Sequence, residues 1–244
     1  MAIEFVDVHS HVVPSGDDGA ASIEEGLELC RVALDTGTRV LYATPHAHAP
    51  WDHYPRTEAR ARLFSEGFAV MRGVVAGWGL DLQQGWEVFP TELVDADPDA
   101  FRLGDTDAVL VEFPGFWLDF TAPLEAVVAA GESVEAAGLV PVLAHPERCA
   151  AVSAAPEAAR ELAARGWLLC LNAPSVLGGH GTVAEKTALR LLDDGVVALV
   201  ASDGHTLRRP PRLDEAFAAV YARYGEAAAV PLFDGSALPR RAAS

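Results

Sequence analysis

The chain of 244 residues has few cysteines and no long apolar run. The three cysteines, Cys30, Cys149 and Cys170, lie far apart and form no CxxC pair. This pattern favours a reducing, cytoplasmic setting and buried thiols over a disulfide framework. No apolar run reaches the roughly 20 residues that a membrane span needs, and the N-terminus lacks a basic stretch. We therefore expect neither membrane insertion nor a signal peptide.

Basic residues are also scarce. Eighteen lysines and arginines stand against 35 aspartates and glutamates, which gives a net charge of −17. A surface this acidic argues against broad binding to nucleic acid or to anionic lipid. Lys186 is the only lysine in the chain.

Short apolar runs alternate with helical patterns along the whole sequence. Most of the runs are almost continuous in valine, leucine and isoleucine, as expected for strands that are covered on both faces. The runs occupy residues 3–8, 39–44, 80–89, 107–113, 139–144, 167–173 and 196–202. A first helix is predicted between the capping box of Ser22 with Glu25 and the stop at Gly37. Further helical patterns cover about 56–76, 121–137, 155–165, 182–194 and 212–224.

Seven strands with helices between them predict an α/β fold with a parallel sheet and crossover helices. No linker divides the chain, so residues 1–244 are expected to form one domain, most simply a closed β/α barrel. A doubly wound open sheet is the alternative, but it would normally carry a glycine-rich loop where this chain has His-Ser-His. Residues 231–244 are expected to form a loosely held tail.

Metal-ligand residue types follow six of the seven strands. They are His9, His11, Asp17, Asp18, His46, His48, Glu87, Glu112, His145, Asp203 and His205. In a β/α barrel these strand ends share one face, where active sites form. Carboxylates and imidazoles drawn together there would be costly without compensation, and divalent cations provide it. Side chains two apart on a strand point to the same side, so His9 and His11 can share one ion.

The type of metal can be narrowed from the ligands. A set of nitrogen and oxygen donors without cysteine suits Mn²⁺, Fe²⁺ or Zn²⁺. About nine candidates exceed the needs of one ion and would satisfy two or three. His53 and His180 lie off the pattern and are interpreted as ordinary polar residues, whereas His48 is undecided.

Several hydrolase classes place an HxH pair after a first barrel strand. An amidohydrolase with a carbamylated lysine is disfavoured, because Lys186 lies in an amphipathic helical pattern. A TatD-like nuclease stays open, although the net charge suits DNA poorly. No cysteine is followed by arginine six residues later, which excludes the Cys-x5-Arg phosphatases.

Seven short motifs together resemble the polymerase-and-histidinol-phosphatase (PHP) superfamily. They are DVHSH…DDG, ATPH, GWEV, VEFP, LAHPERC, LNAPSVLG and ASDGH…RRPP, spread over roughly residues 4–225. The chain is most similar to the bacterial manganese-dependent protein-tyrosine phosphatases of capsule and exopolysaccharide biosynthesis, the CpsB/YwqE type.

The resemblance implies a distorted (β/α)7 barrel with three Mn²⁺ ions at the carboxyl ends of the strands, Fe²⁺ or Zn²⁺ being alternatives. The implied ligands are His9, His11, Glu87 and Asp203 for the first ion, Glu87, Glu112 and His145 for the second, and Asp18, His46 and His205 for the third. Arg148 and Arg209 match arginines that bind phosphate in the family. Arg208 is the alternative to Arg209, because RRPP follows one residue earlier than in the family pattern. His48 is a candidate general acid.

The implied reaction is hydrolysis of a phosphotyrosine protein or phosphopeptide by a metal-bridging hydroxide at a trinuclear site. In the family the substrate is the tyrosine-rich tail of a kinase that regulates polysaccharide export. A PHP phosphoesterase acting on histidinol phosphate or on a phosphodiester is the alternative. A non-catalytic metal-binding domain is a third reading, disfavoured because the ligand set is complete.

Overall fold

The structure, a computed structural model, describes residues 3–49, 52–114 and 123–241. Its strands are β1 (Phe5–Ser10), β2 (Thr38–Ala43), β3 (His46–Ala47), β4 (Asp81–Gln84), β5 (Glu87–Val88), β6 (Ala108–Glu112), β7 (Val140–Ala144), β8 (Leu168–Asn172) and β9 (Val197–Ala201). Its helices are α1 (Ile23–Asp35), α2 (Glu58–Ala76), α3 (Pro123–Ala136), α4 (Ala150–Ala154), α5 (Glu157–Ala164), α6 (Ala173–Val176), α7 (Thr182–Asp193), α8 (Asp214–Tyr224) and α9 (Glu226–Phe233). Short 3-10 turns occupy Glu92–Val94, Pro98–Phe101 and Pro146–Arg148.

The strands pair in parallel throughout, which confirms the predicted α/β class. They form a sheet in the order β1-β2-β4 and a second in the order β3-β5-β6-β7-β8-β9. One predicted strand, the run 80–89, is interrupted, because Gly85 and Trp86 separate β4 from β5. The run 39–44 corresponds to β2, and β3 lies beyond it, after Thr44 and Pro45. Within the described residues, the seven apolar runs thus appear in the predicted order as eight strands, and β3 is a further strand that was not predicted.

The end of β1 also joins the segment that follows β9. The Asp203 amide donates to the His9 carbonyl at 2.9 Å, and the His11 amide donates to the Gly204 carbonyl at 2.7 Å. These bonds bring the first and last strands together at their carboxyl ends, where the candidate ligands lie.

Both faces of the sheets are buried, which explains the continuous apolar runs. An inner cluster includes Val8, Leu110, Val142 and Leu199, whereas helices cover the outer faces through two further clusters. Among the described residues, no helix is both long enough and apolar enough to cross a membrane.

The helices begin and end close to the predicted bounds. Residues 121 and 122 of the predicted helix 121–137 lie outside the described residues. Ser22 caps α1 by accepting from the Glu25 amide at 3.2 Å, as the capping box predicts. The short helices α4, α6 and α9 were not predicted.

The contacts of residues 231–241 differ from the predicted loose tail. Phe233 is fully buried, and Leu238 is 9% exposed and packs in the inner cluster. The Asp107 amide donates to the Pro239 carbonyl at 3.0 Å. Apolar burial at these two positions holds the segment, and residues 242–244 lie outside the described part of the chain.

Candidate metal centre

Histidine, aspartate and glutamate side chains converge at the carboxyl ends of the strands. Among the residues that the structure describes, four groups have ligand atoms within 4.8 Å of one another. They are His11, Asp18, His46 and His205; His9, Glu87 and His145; His9, His11 and Asp203; and His46, His48 and Glu112. Apart from Asp18, all of these residues are largely or fully buried.

The alternation of β1 directs His9 and His11 to the same side. Their Nε2 atoms are 3.3 Å apart, and each lies 3.2 Å from Oε2 of Glu87. Ser10 points away and donates to the Tyr42 carbonyl at 2.7 Å. This strand therefore delivers two imidazole nitrogens to one carboxylate.

Glu87 lies at the centre of the cluster because β5 pairs in register with β3, His46 opposite Glu87. Its Oε2 is 3.1 Å from Nδ1 of His46, and its Oε1 is 2.9 Å from Nε2 of His145. Burial alone would raise the pKa of Glu87, but the neighbouring imidazoles of His9 and His46 hold it well below its usual range. The Glu87 carboxylate is therefore ionised and available as a bridging ligand.

The two aspartates of the DDG turn have different roles. Asp17 is buried and accepts from the His46 amide at 3.1 Å and from the Gly19 amide at 3.1 Å, and its Oδ2 lies 3.0 Å from Nδ1 of His11. Asp18 directs Oδ1 towards Nε2 of His46 and of His205, each at 3.4 Å. Asp17 thus orients the turn and one imidazole, whereas Asp18 offers an oxygen to the shared space.

Gly19 allows the turn to lie directly against β1. A Cβ atom at this position would lie 2.3 Å from the His11 carbonyl oxygen, far inside contact distance. The Ala20 amide donates to that same carbonyl at 2.9 Å. The position of both aspartates therefore depends on the missing side chain of Gly19.

Asp203 is held between several donors after β9. Its Oδ2 accepts from Nδ2 of Asn172 at 2.7 Å and from Arg148 at 3.0 Å. Its Oδ1 lies 3.1 Å from Nη2 of Arg209 and 3.3 Å from Nε2 of His9. Asp203 and His145 have left-handed backbones, with φ of 51° and 42°. Such strain in residues other than glycine is concentrated at functional sites.

His48 and Glu112 complete the opposite side of the centre. Oε2 of Glu112 lies 3.5 Å from Nε2 of His48 and 3.6 Å from Nδ1 of His46. Burial and the charge of Glu87 disfavour ionisation of Glu112, yet the neighbouring imidazoles of His46 and His48 lower its pKa to about 2. None of these three atoms makes a hydrogen bond, although all are buried.

These buried atoms test whether a metal ion fits the residues present. Buried polar atoms are normally paired, so three of them facing one another suggest a missing partner. The donors are imidazole nitrogens and carboxylate oxygens, the set that suits Mn²⁺, Fe²⁺ or Zn²⁺. The residues therefore fit divalent cations.

The grouping differs from the implied ligand sets in two respects. His11 lies with Asp18, His46 and His205 as well as with His9 and Asp203. Glu112 groups with His46 and His48, whereas His145 groups with Glu87 and His9. The nine implied ligands nevertheless all belong to these groups.

The remaining predicted site residues lie around the cluster. Arg148 and Arg209 both reach Asp203, and Arg209 also contacts His205. Arg208 is exposed at the tip of a tight turn in which the Arg209 amide donates to the Thr206 carbonyl at 2.9 Å.

Sequence reasoning missed several residues that shape the centre. Asn172 carries no signal beyond its place at a strand end. His180 was interpreted as an ordinary polar residue, yet burial and the charge of Arg148 lower its pKa to about 4, with Asp203 and Arg209 also acting on it. Nδ1 of His180 lies 2.9 Å from Oγ of Ser175.

Comparison with known proteins gives a consistent result. A family model described as capsular polysaccharide synthesis, CpsB/CapC, matches residues 5–237. The tyrosine-protein phosphatase YwqE of Bacillus subtilis is 27% identical over 207 residues, 84% of this chain and 78% of the relative. The tyrosine-protein phosphatase CpsB of Streptococcus pneumoniae is 27% identical over 242 residues, 94% and 95% of the two chains.

Solved structures support the same similarity. A crystal structure from a study of Bacillus subtilis YwqE and Streptococcus pneumoniae CpsB, described as unique metal-dependent tyrosine phosphatases, superposes with a TM-score of 0.78. It is 26% identical, and the match covers 93% of this chain and 90% of that one. The phosphotriesterase homology protein of Escherichia coli shares the fold alone, with a TM-score of 0.54, 8% identity and coverage of 96% and 97%.

Proposed function

Because the chain belongs to the CpsB/CapC family of capsular polysaccharide synthesis, we propose that it is a metal-dependent protein-tyrosine phosphatase. The observation that carries the proposal is the convergence of four buried ligand groups with two arginines at the strand ends. Such a centre binds a phosphoryl group through cations and guanidinium groups together.

We propose that nine residues hold up to three ions, with Mn²⁺ as the native metal. They are His9, His11, Asp18, His46, Glu87, Glu112, His145, Asp203 and His205. Bound divalent ions would polarise the phosphoryl oxygens and increase the acidity of a water molecule. The chain itself supplies a fixed, buried carboxylate at Glu87, which lies within 3.2 Å of four imidazoles.

Arg148 and Arg209 are the residues we propose for binding the phosphoryl oxygens. The guanidinium group of Arg148 contacts Oδ2 of Asp203, and that of Arg209 contacts Oδ1. The two groups therefore lie around one carboxylate, where both could reach the same phosphoryl group. Arginine is suited to this task because its planar fork matches the geometry of phosphate oxygens.

We propose His48 as the general acid. The Tyr54 amide donates to Nδ1 of His48 at 3.4 Å. Nε2 of the same ring faces Glu112 at 3.5 Å. A phenolate leaving group, with a pKa of ~10, needs only modest protonation.

The proposed substrate is a phosphotyrosine protein, with the tail of a polysaccharide-export tyrosine kinase as the specific candidate. We place this protein in the cytoplasm. Its three cysteines are all free and buried, as the reducing compartment favours.

The test is metal-dependent release of phosphate. Chelator-stripped protein should be inactive towards p-nitrophenyl phosphate and a phosphotyrosine peptide, and Mn²⁺ should restore activity above Zn²⁺ or Fe²⁺. His9→Ala and His145→Ala should each lower kcat/KM by at least about 100-fold, since loss of a ligand should cost at least as much as loss of its support. His53→Ala, outside the four groups, serves as the control.

Substrate comparison separates the proposed reaction from other phosphoester chemistry. Phosphotyrosine peptide should be hydrolysed faster than phosphoserine peptide, histidinol phosphate or bis-p-nitrophenyl phosphate. Full activity in the stripped protein, or a preference for the diester, would contradict the proposal.

A further inference from the structure

Arg60 makes an unusual set of hydrogen bonds beside the metal-ligand cluster. From the first turn of α2, its Nε donates to the Ser15 carbonyl at 2.9 Å and its Nη2 donates to the His46 carbonyl at 3.1 Å. Its Nη1 donates to the carbonyls of Tyr54 at 2.6 Å and Pro55 at 3.1 Å. One guanidinium group thus satisfies four backbone acceptors.

These acceptors belong to three separate parts of the chain. Ser15 lies two residues before Asp17 of the DDG turn, and His46 is itself one of the candidate ligands. Tyr54 lies in the segment after β3, and its ring stacks on the imidazole of His46 with centroids 5.1 Å apart and planes inclined by 8°. Arg60 therefore connects the backbone of two ligand-bearing segments with the residue that covers the His46 ring.

The contacts argue against two simpler roles for Arg60. Within the described part of the chain, its guanidinium makes no ion pair within 4 Å of a carboxylate, as a typical surface arginine would. Four of its five N–H groups are occupied by carbonyls, so no free fork is left for phosphate. Burial lowers the pKa of Arg60, which places the charge in a partly desolvated position.

We propose that Arg60 is a positioning residue that holds Asp18 and His46 in register to bind one metal ion with His11 and His205. The proposal rests on the proposed function, in which this group of four is a metal site. Partners that orient metal ligands typically change metal affinity by about 10–100-fold when they are removed.

The experiment compares Arg60→Ala and Arg60→Lys with Arg62→Ala, an exposed arginine on the same helix. Mn²⁺ binding is measured by calorimetry and by metal analysis of the gel-filtered protein. Arg60→Ala should weaken one of the bound ions by about 10-fold or more and leave the others in place. Arg60→Lys should weaken the same ion, because one ammonium group cannot serve four carbonyls in a planar fork. Millimolar methylguanidinium should restore binding in Arg60→Ala and have no effect in Arg60→Lys.

A second measurement is independent of the metal. In chelator-stripped protein, the amides of Gly19, His46 and His48 should exchange hydrogen faster in Arg60→Ala than in the wild type or Arg62→Ala. The proposal is wrong if this exchange is unchanged, or if Arg60→Ala binds every ion as tightly as the wild type. It is also wrong if Arg60→Ala and Arg60→Lys lose all ions together with the folded state. If exchange is faster in Arg60→Ala but the wild-type protein binds no Mn²⁺, the proposed function is contradicted and the positioning role stays supported.

Discussion

Asp203 contacts both the candidate metal ligands and the two arginines proposed to bind phosphate. Burial would raise its pKa, but the charges of His9, His205 and Arg209 hold the pKa well below its ordinary range. The ionised carboxylate lies among a candidate metal group and also accepts from Arg148 and Asn172. Its left-handed backbone turns the chain so that Arg209, six residues later, donates from Nε to the Asp203 carbonyl at 2.9 Å.

The two adjacent arginines should therefore differ in their effect on activity. Arg209→Ala is expected to lower kcat/KM for a phosphotyrosine peptide by about 100-fold, the usual effect of removing a donor to a developing oxyanion. Arg208→Ala, which alters an exposed side chain, should remain within about 2-fold of the wild type.

Steady-state kinetics of Arg208→Ala and Arg209→Ala, with metal content measured on the same samples, check this assignment. Because Arg209 also contacts His205 and Asp203, unchanged metal content would show that the loss arises at the phosphate. A larger loss in Arg208→Ala would assign the phosphate contact to Arg208 instead.

The candidate ligands could be predicted from the sequence because each follows a recognisable strand. Their supporting residues could not, since support comes from contacts between distant segments. Arg60 reaches Ser15 across 45 residues, and Asn172 reaches Asp203 across 31. Neither contact leaves a local pattern in composition or periodicity. Among the supporting residues, Asp17 could be predicted only because it is next to Asp18 in a glycine-containing turn.

Among the elements, the interrupted run 80–89 and the unpredicted strand β3 are the clearest departures from the predicted pattern. The predicted run 80–89 reads as one strand, but Gly85 breaks it, and a Cβ there would lie 2.6 Å from Cδ2 of Leu103. After the break, β5 pairs with β3 and aligns Glu87 with His46. Hydrophobic periodicity identifies an apolar run but does not show where the strand within that run breaks. The interruption at Gly85 could therefore not be predicted.

The helix α9 and the segment after it were missed for a related reason. Its sequence is apolar almost throughout and contains Pro231, which normally indicates the end of a helix. The last turn nevertheless buries Phe233 against the rings of Phe5 and Phe217, with centroids 6.1 and 5.4 Å away. Packing against the start of β1 outweighs the weak local signal.

These contacts predict that the end of the described chain contributes to stability. A variant that ends at Asp234 should be destabilised by about 1.5–3 kcal/mol, because the buried side chain of Leu238 is lost. A variant that ends at Arg241 should match the full chain. Urea unfolding followed by circular dichroism measures both, and equal midpoints for the two variants would support the loosely held tail instead.

For the molecule as a whole, the net charge is negative, the same sign as the charge of a phosphorylated substrate. Three divalent ions would add +6 to the net charge of −17 and leave −11. The positive character is therefore confined to the mouth formed by the ions, Arg148 and Arg209, while the rest of the surface repels anions. A phosphotyrosine dianion is therefore attracted only at short range. The charged residues that flank it in a peptide interact with the acidic surface around the mouth.

Peptide charge should therefore control the rate of capture at low salt. Of two phosphotyrosine peptides that differ only in flanking lysines or glutamates, the lysine peptide should show at least about 10-fold higher kcat/KM at 10 mM salt. At 300 mM salt the difference should shrink to about 3-fold or less, because the screening length falls well below the roughly 30 Å of 0.01 M salt. Stopped-flow or steady-state assays at constant Mn²⁺ give both ratios. Equal rates for the two peptides at low salt would mean that the positive mouth governs capture without any influence from the acidic body.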